Sequence, residues 1–337
     1  MRASCVQSVG AAPVPGRRAR VPCVLVGCHA VRVEVADIED AFDRVGCRGW
    51  LCALALDGPG EMALHGDAVV VAASVFKVVV AVEFFRQTAD GRLDPSERVR
   101  LGSVGRTPGA TGFSTFADEV EVSLRDLTQM MLVVSDNAAT DVILDRVGLA
   151  AVNTCAASLG LTSTVVVSDL RTVVDSIGQD AGFAGWDDLQ AATGPDAPVA
   201  SVLAVRRRLL SVRALTPDLT TRTTARDMAT LLQQIWRDEA GPADGCAQIR
   251  QLMARQVTQN RLAAGFGDGI SVAAKSGSLL GVVRNEIGVV EYPDGARYAV
   301  AVFTRAYEPF RGEHQINGVI GATSASAIAH LRESSKS

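Results

Sequence analysis

Strand-like runs lie near both ends of this chain, and few lie between them. Trp50-Leu51-Cys52-Ala53-Leu54-Ala55-Leu56 closes on the turn signal Asp57-Gly58, and Glu61–His65 follows as its hairpin partner. Far downstream, Ser271–Lys275, Glu286–Tyr292 and Arg297–Thr304 read as three more strands, the last two joined at Pro293-Asp294-Gly295. Between them the apolar spacing is helical. A long apolar helix runs from Val75 through Phe85, and others cover Ser123–Val134, Ala138–Val147, Ala150–Leu159 and Thr224–Trp236. Two further helices, Glu34–Val45 and Ile316–Leu331, sit beside the terminal strands. Strands need paired neighbours, so the early and late ones must share a sheet. The expected fold is α/β: an antiparallel sheet built from both chain ends and flanked by helices, with an inserted all-α lobe over about 74–240.

This domain is expected to occupy residues 31–335. Residues 165–222 have weak periodicity and contain Gly178, Gly182, Gly185, Gly194, Pro195 and Pro198. They read as a loop-rich insertion with one helix at Val199–Leu210. Residues 1–30 read as a disordered leader or a poor export signal, since the apolar run after Arg17-Arg18-Ala19-Arg20 is short and broken by Pro22. No run approaches the roughly 18 apolar residues of a membrane span.

The chain's 337 residues carry a net charge of −4, and aromatic residues make up 5%. Neither a basic surface nor stacking platforms for bases are indicated, which argues against a nucleic-acid partner. A monomer acting on small molecules is expected. The seven cysteines (Cys5, Cys23, Cys28, Cys47, Cys52, Cys155, Cys246) leave at least one thiol unpaired within the chain. The pairs Cys23/Cys28 and Cys47/Cys52 could be read as zinc ligands, but their apolar flanks favour buried thiols acting as small hydrophobes. No metal or organic cofactor is expected.

Three motifs carry chemistry. Ser74-Val75-Phe76-Lys77 opens a predicted helix, where positions three apart share a face, so the lysine amine lies within reach of the serine hydroxyl. A serine needs a neighbouring base to become a nucleophile, and a lysine serves when burial and nearby cations lower its pKa. Ser135-Asp136-Asn137 follows one helix and opens another, and taken alone it would be a good helix cap. Lys275-Ser276-Gly277 ends a predicted strand. Only four histidines occur, with no G-x-S-x-G elbow, H-E-x-x-H or phosphate-binding glycine loop.

Taken together and in this order, the motifs resemble those of the class A β-lactamases and related penicillin-recognising serine hydrolases. The likeness extends through Lys275-Ser276-Gly277-Ser278-Leu279-Leu280-Gly281-Val282-Val283-Arg284-Asn285-Glu286 and covers roughly Val31 to Leu331, apart from the loop-rich insertion. The resemblance implies that Ser74 forms an acyl-enzyme, Lys77 moves its proton and Ser135 protonates the leaving nitrogen. Backbone N–H groups of Ser74 and Ser278 would form the oxyanion hole. Asn137 would bind the substrate's acylamide, and Lys275, Ser276 and Arg284 its carboxylate. One departure stands out. The family's E-x-x-L-N segment is missing, and Arg171 stands where its water-positioning glutamate would be. Asp169 and Asp175 are candidate substitutes, although solvated loop aspartates are the simpler reading. The leading expectation is β-lactam hydrolysis. The alternatives are a D,D-peptidase, esterase or acyltransferase, and a β-lactam sensor that is acylated without turnover. The family is usually exported, yet the N-terminus offers no clean signal, which leaves the location open between export and the cytoplasm.

Overall fold

The computed structural model describes residues 34–335. In chain order its strands are β1 (Cys47–Ala55), β2 (Glu61–Leu64), β3 (Val70–Val71), β4 (Arg98–Leu101), β5 (Val120–Ser123), β6 (Arg222–Thr223), β7 (Ser271–Leu279), β8 (Val283–Glu291) and β9 (Arg297–Ala306). Its helices are α1 (Val35–Arg44), α2 (Lys77–Ala89), α3 (Leu124–Val133), α4 (Asn137–Val147), α5 (Leu149–Ser158), α6 (Leu170–Asp180), α7 (Trp186–Ala192), α8 (Val199–Arg208), α9 (Ala225–Trp236), α10 (Ala243–Ala254) and α11 (Glu313–Ser334).

Five strands form one antiparallel sheet in the order β2-β1-β9-β8-β7. The early hairpin is thus closed by the last strand, with Leu51 opposite Val302 and Ala53 opposite Val300. Alternation along the strands divides the core in two. Leu51, Ala53, Val300 and Val302 pack with Ile38 and Phe42 of α1 and with Ile316, Ile320 and Ile328 of α11. Cys52, Ala301 and Phe303 face the opposite way, into the cluster built on α2 and α9. Gly49 allows α1 to lie close to the sheet, because a Cβ there would fall within 2.1 Å of the Phe42 ring.

Helix α2 is apolar on every side, and Val78, Val79, Val80, Ala81, Val82, Phe84 and Phe85 are all buried. A helix of that kind belongs inside a lobe. It is packed by α3, α4, α5 and α10. Burial of each such Val or Phe side chain contributes roughly 1.5–3 kcal/mol.

The two C-x4-C readings meet different ends. Cys23 and Cys28 lie outside the described residues. Cys47 and Cys52, both buried, join opposite sides of the sheet, so they do not converge as a ligand pair. Burial pushes both thiols up to about 12. They are packing residues, as are the buried Cys155 and Cys246. No helix among the described residues is long and apolar enough to cross a membrane.

The 165–222 stretch holds more regular structure than its composition suggests. Besides α8, which falls on the expected helix, it contains α6 and α7. Asp169 caps α6, its carboxylate accepting from the Thr172 N–H at 2.7 Å. Leu170, Val173, Val174 and Ile177 repeat at helical spacing along it. The glycines that suggested loops sit within or beside these short helices. Gly178, for example, lies inside α6, where a Cβ would collide with the Gly185 backbone at 2.1 Å.

Candidate active site

Ser74 lies in a single 3-10 turn, Ala73–Phe76, that runs directly into α2 at Lys77. The turn begins with Ala73 at φ 46, a left-handed conformation that costs a non-glycine residue about 1–3 kcal/mol. Strand β7 passes alongside. A Cβ on Gly277 would stand 2.9 Å from the Ser74 backbone nitrogen, so only glycine lets the strand come this close.

Lys77 is fully buried at the start of α2, and no carboxylate pairs with it among the described residues. Its ammonium is held by acceptors instead. Nζ donates to the Ser135 carbonyl at 2.8 Å and to Asn137 Oδ1 at 2.9 Å, with Ser135 Oγ and the Asp136 carbonyl at 3.4 Å. Burial lowers its pKa to about 7, opposed by Asp136 and Asp141. An amine that titrates there can take and return a proton near neutrality.

The segment between α3 and α4 supplies these acceptors. Ser135 has φ 61, again left-handed. Asp136 is the N-cap of α4, accepting from Ala138 N–H at 2.9 Å and Ala139 N–H at 3.3 Å, and it also accepts from Phe113 N–H and Ser114 Oγ. The triplet is therefore both a helix cap and part of the site. Asn137 donates from Nδ2 to the Pro108 carbonyl at 2.8 Å while its oxygen receives Lys77.

Lys275, fully buried on β7, completes the group. Its Nζ donates to Ser135 Oγ at 2.9 Å and to the Ser276 carbonyl at 2.7 Å. Burial holds it well below its ordinary pKa, and the neighbouring Lys77 lowers it further. Ser135 Oγ thus receives both lysines. Ser74 Oγ makes no hydrogen bond to another described residue, so its hydroxyl is free at the wall of a cavity of about 80 Å³. Asn137, Ser278, Leu170, Val173 and Val174 line that cavity with it.

Several residues of the site gave no signal in the sequence. Arg261, buried in the loop after α10, donates to Ser278 Oγ at 2.6 Å, the Gly277 carbonyl at 3.0 Å and the Asn285 carbonyl at 2.8 Å. Burial lowers its pKa to about 10. Buried Glu286, opposite Ser276 in register, accepts from Gln256 Nε2 at 2.9 Å, while Gln256 Oε1 accepts from the Ser276 N–H. No periodicity marks Arg261 or Gln256, and only tertiary contact reveals them.

Arg284 is turned to other partners. Its guanidinium is ion-paired with Glu313 and donates to Asn317 Oδ1 at 3.3 Å. Arg171 is likewise occupied, bound to Asp175 at 2.9 Å and Asp187 at 3.0 Å. Asp169 is spent on its cap. Lys77, Ser135, Asn137, Lys275 and Ser276 are therefore linked by hydrogen bonds, with Ser74 and Ser278 on the adjoining cavity. Arg284, directly opposite Ser278 in register, shares Asn317 Oδ1 with Arg261 while pairing with Glu313.

A five-stranded sheet closed by both chain ends, with two lysines converging on the serine of an S-D-N turn, defines a penicillin-recognising serine-hydrolase architecture. The family described as the beta-lactamase enzyme family matches residues 33–331, and the chain belongs to it. The beta-lactamase regulatory protein BlaB of Streptomyces cacaoi is 26% identical over 315 residues, covering 88% of this chain and 97% of that protein. Among solved structures, PBP-A superposes with a TM-score of 0.68 at 24% identity, over 90% of this chain and 96% of its own. The beta-lactamase from Sphaerobacter thermophilus DSM 20745 gives 0.67 at 24%, over 87% and 95%. At these identities the structural likeness speaks for the fold.

Proposed function

We propose that Ser74 is acylated by a β-lactam or a related strained amide, and that the resulting ester is released slowly. The observation that carries this reading is the arrangement of Lys77 and Lys275 around Ser135, beside a free Ser74 hydroxyl. Ser74 Oγ attacks the amide carbon and its proton passes to the neutral Lys77 amine. The backbone N–H groups of Ser74 and Ser278 receive the oxyanion. As the carbon–nitrogen bond breaks, Lys77 returns the proton through Ser135 Oγ to the departing nitrogen, leaving an ester on Ser74. Asn137 binds the acylamide arm, and Lys275 with Ser276 the substrate carboxylate. Arg261 supplies the second cation there, since Glu313 already neutralises Arg284.

Slow release is supported by the opposite wall. Where a water-activating carboxylate would stand, α6 presents Leu170, Val173 and Val174 to the cavity. The regulatory role in the name of the Streptomyces cacaoi relative agrees with a protein that reports acylation. Hydrolysis with steady turnover is the second reading, favoured by membership of the family.

The test is intact mass after mixing with benzylpenicillin, followed over time alongside a chromogenic cephalosporin. A lasting adduct of one whole penicillin, with a stoichiometric burst of colour, is expected. Rapid return to the free mass with continuous colour would establish hydrolysis instead. Absence of any adduct would remove Ser74 from its role.

A further inference from the structure

A cavity of about 310 Å³ on the other side of the segment leading to Ser74 has chemistry that the proposed reaction does not use. Residues of β1, β9 and β8 line it together with β3 and Pro217. Its floor is apolar: Trp50 stands opposite Phe303, with Val70 and Val283 beside them. At its rim Arg48 stands directly opposite Arg305 across the β1–β9 pair. Like charges facing each other across a ladder repel. Neither arginine has a carboxylate partner among the described residues. Arg48 only covers the Trp50 ring, 5.2 Å from its centroid, and Arg305 donates to the Leu215 carbonyl at 2.6 Å. Most other arginines that line the molecule's surface clefts are paired, such as Arg146 with Glu97 and Arg297 with Asp57.

Two arginines at opposite register positions, both lining the cavity without a carboxylate partner and beside an aromatic floor, have the chemistry of a receptor for an anion with a flat apolar body. A carboxylate between them would relieve the repulsion and accept forked hydrogen bonds. The volume lies at the small end of the range for ligand pockets. We infer that this cavity is a second binding site, taking an aromatic monocarboxylate. Val71 is the one residue that lines both this cavity and the one at Ser74, so the two sites stand back to back without overlapping.

Trp50, one of three tryptophans, gives the test its signal, which Trp50→Phe should remove. The full chain is titrated with 2-naphthoate, and with 2-naphthalenemethanol as the uncharged counterpart, while tryptophan fluorescence and thermal midpoint are recorded. Saturable quenching by the acid, at least ten times weaker for the alcohol, is expected. Arg48→Gln and Arg305→Gln should each weaken the acid by tenfold or more while raising the ligand-free midpoint slightly, a combination that a merely damaged fold does not produce. Binding should persist in Lys275→Ala, which removes the group proposed to hold a carboxylate in the Ser74 cleft. No saturable binding, equal binding of the alcohol, or loss in Lys275→Ala with retention in Arg48→Gln would each overturn the site.

Discussion

The two walls of the Ser74 cleft are built from opposite materials. On one side stand Lys77, Ser135, Asn137 and Lys275, fully hydrogen-bonded to each other and to the backbone. On the other, α6 offers Leu170, Val173 and Val174. The polar wall carries an amine whose pKa burial lowers to about 7, beside the hydroxyl that the proposed function makes the relay to the leaving nitrogen. Among the described residues that line the cavity, the apolar wall contributes no carboxylate. Forming an acyl-enzyme and clearing it are separate steps, and the proposed function assigns the polar wall to the first.

The contrast can be broken most severely at the nucleophile. Ser74→Ala should abolish covalent labelling by a tagged penicillin altogether, and any residual adduct at wild-type rate would move the nucleophile elsewhere. Lys77→Ala should slow labelling by roughly 10²–10⁴-fold, the usual worth of a positioned base. Stopped-flow quenching of labelling would measure it, and near-normal labelling would count against the base.

Attention then turns to the apolar wall. Leu170→Glu combined with Val174→Asn places a carboxylate and an amide one helical turn apart beside Ser74. Decay of the adduct, read by mass, should accelerate by roughly 10–100-fold, short of a full general-base effect because the surrounding shell is unadapted. An unchanged lifetime would show that something other than the missing carboxylate protects the ester. Acidity probes the polar wall. Burial lowers Lys77 from its ordinary 10.5 to about 7, so the amine is free above that value and protonated below it. The acylation rate should therefore level off above about pH 7 and fall by about tenfold for each unit below. The smallest effect belongs to the cap of α6: Asp169→Ala should cost roughly 1 kcal/mol in urea unfolding while leaving acylation intact.

Much of this was legible in the sequence, for identifiable reasons. The strands at 50–56 and 297–304 declare themselves by composition and turns, and their pairing follows from having nowhere else to go. The meeting of Lys77 and Lys275 at Ser135 follows motifs that could be read by their spacing, whereas the expected approach of the Lys77 amine to the Ser74 hydroxyl is not among the hydrogen bonds of the described residues. The helix α6 was missed although Asp169 and the run Leu170, Val173, Val174, Ile177 spell it out, because neighbouring glycines read as loop. The partnership of Arg284 was beyond reach. Glu313 meets it only when α11 docks on β8, and no local pattern encodes that meeting. Arg261 was hidden for the same reason, since its role depends on strand β7 running past a loop.

The closure of the early hairpin by the last strand also sets a timetable for the ribosome. Ser74, Lys77 and Ser135 leave the exit tunnel long before Lys275, an interval on the order of ten seconds at ordinary synthesis rates. During it β1 has an open edge where β9 will later pair, and unpaired edges invite association with other chains. A nascent polypeptide at that stage holds most of the reactive groups but lacks the strand against which Ser74 is set. The candidate site is therefore assembled late, when β9, β8 and β7 add to the open edge of β1.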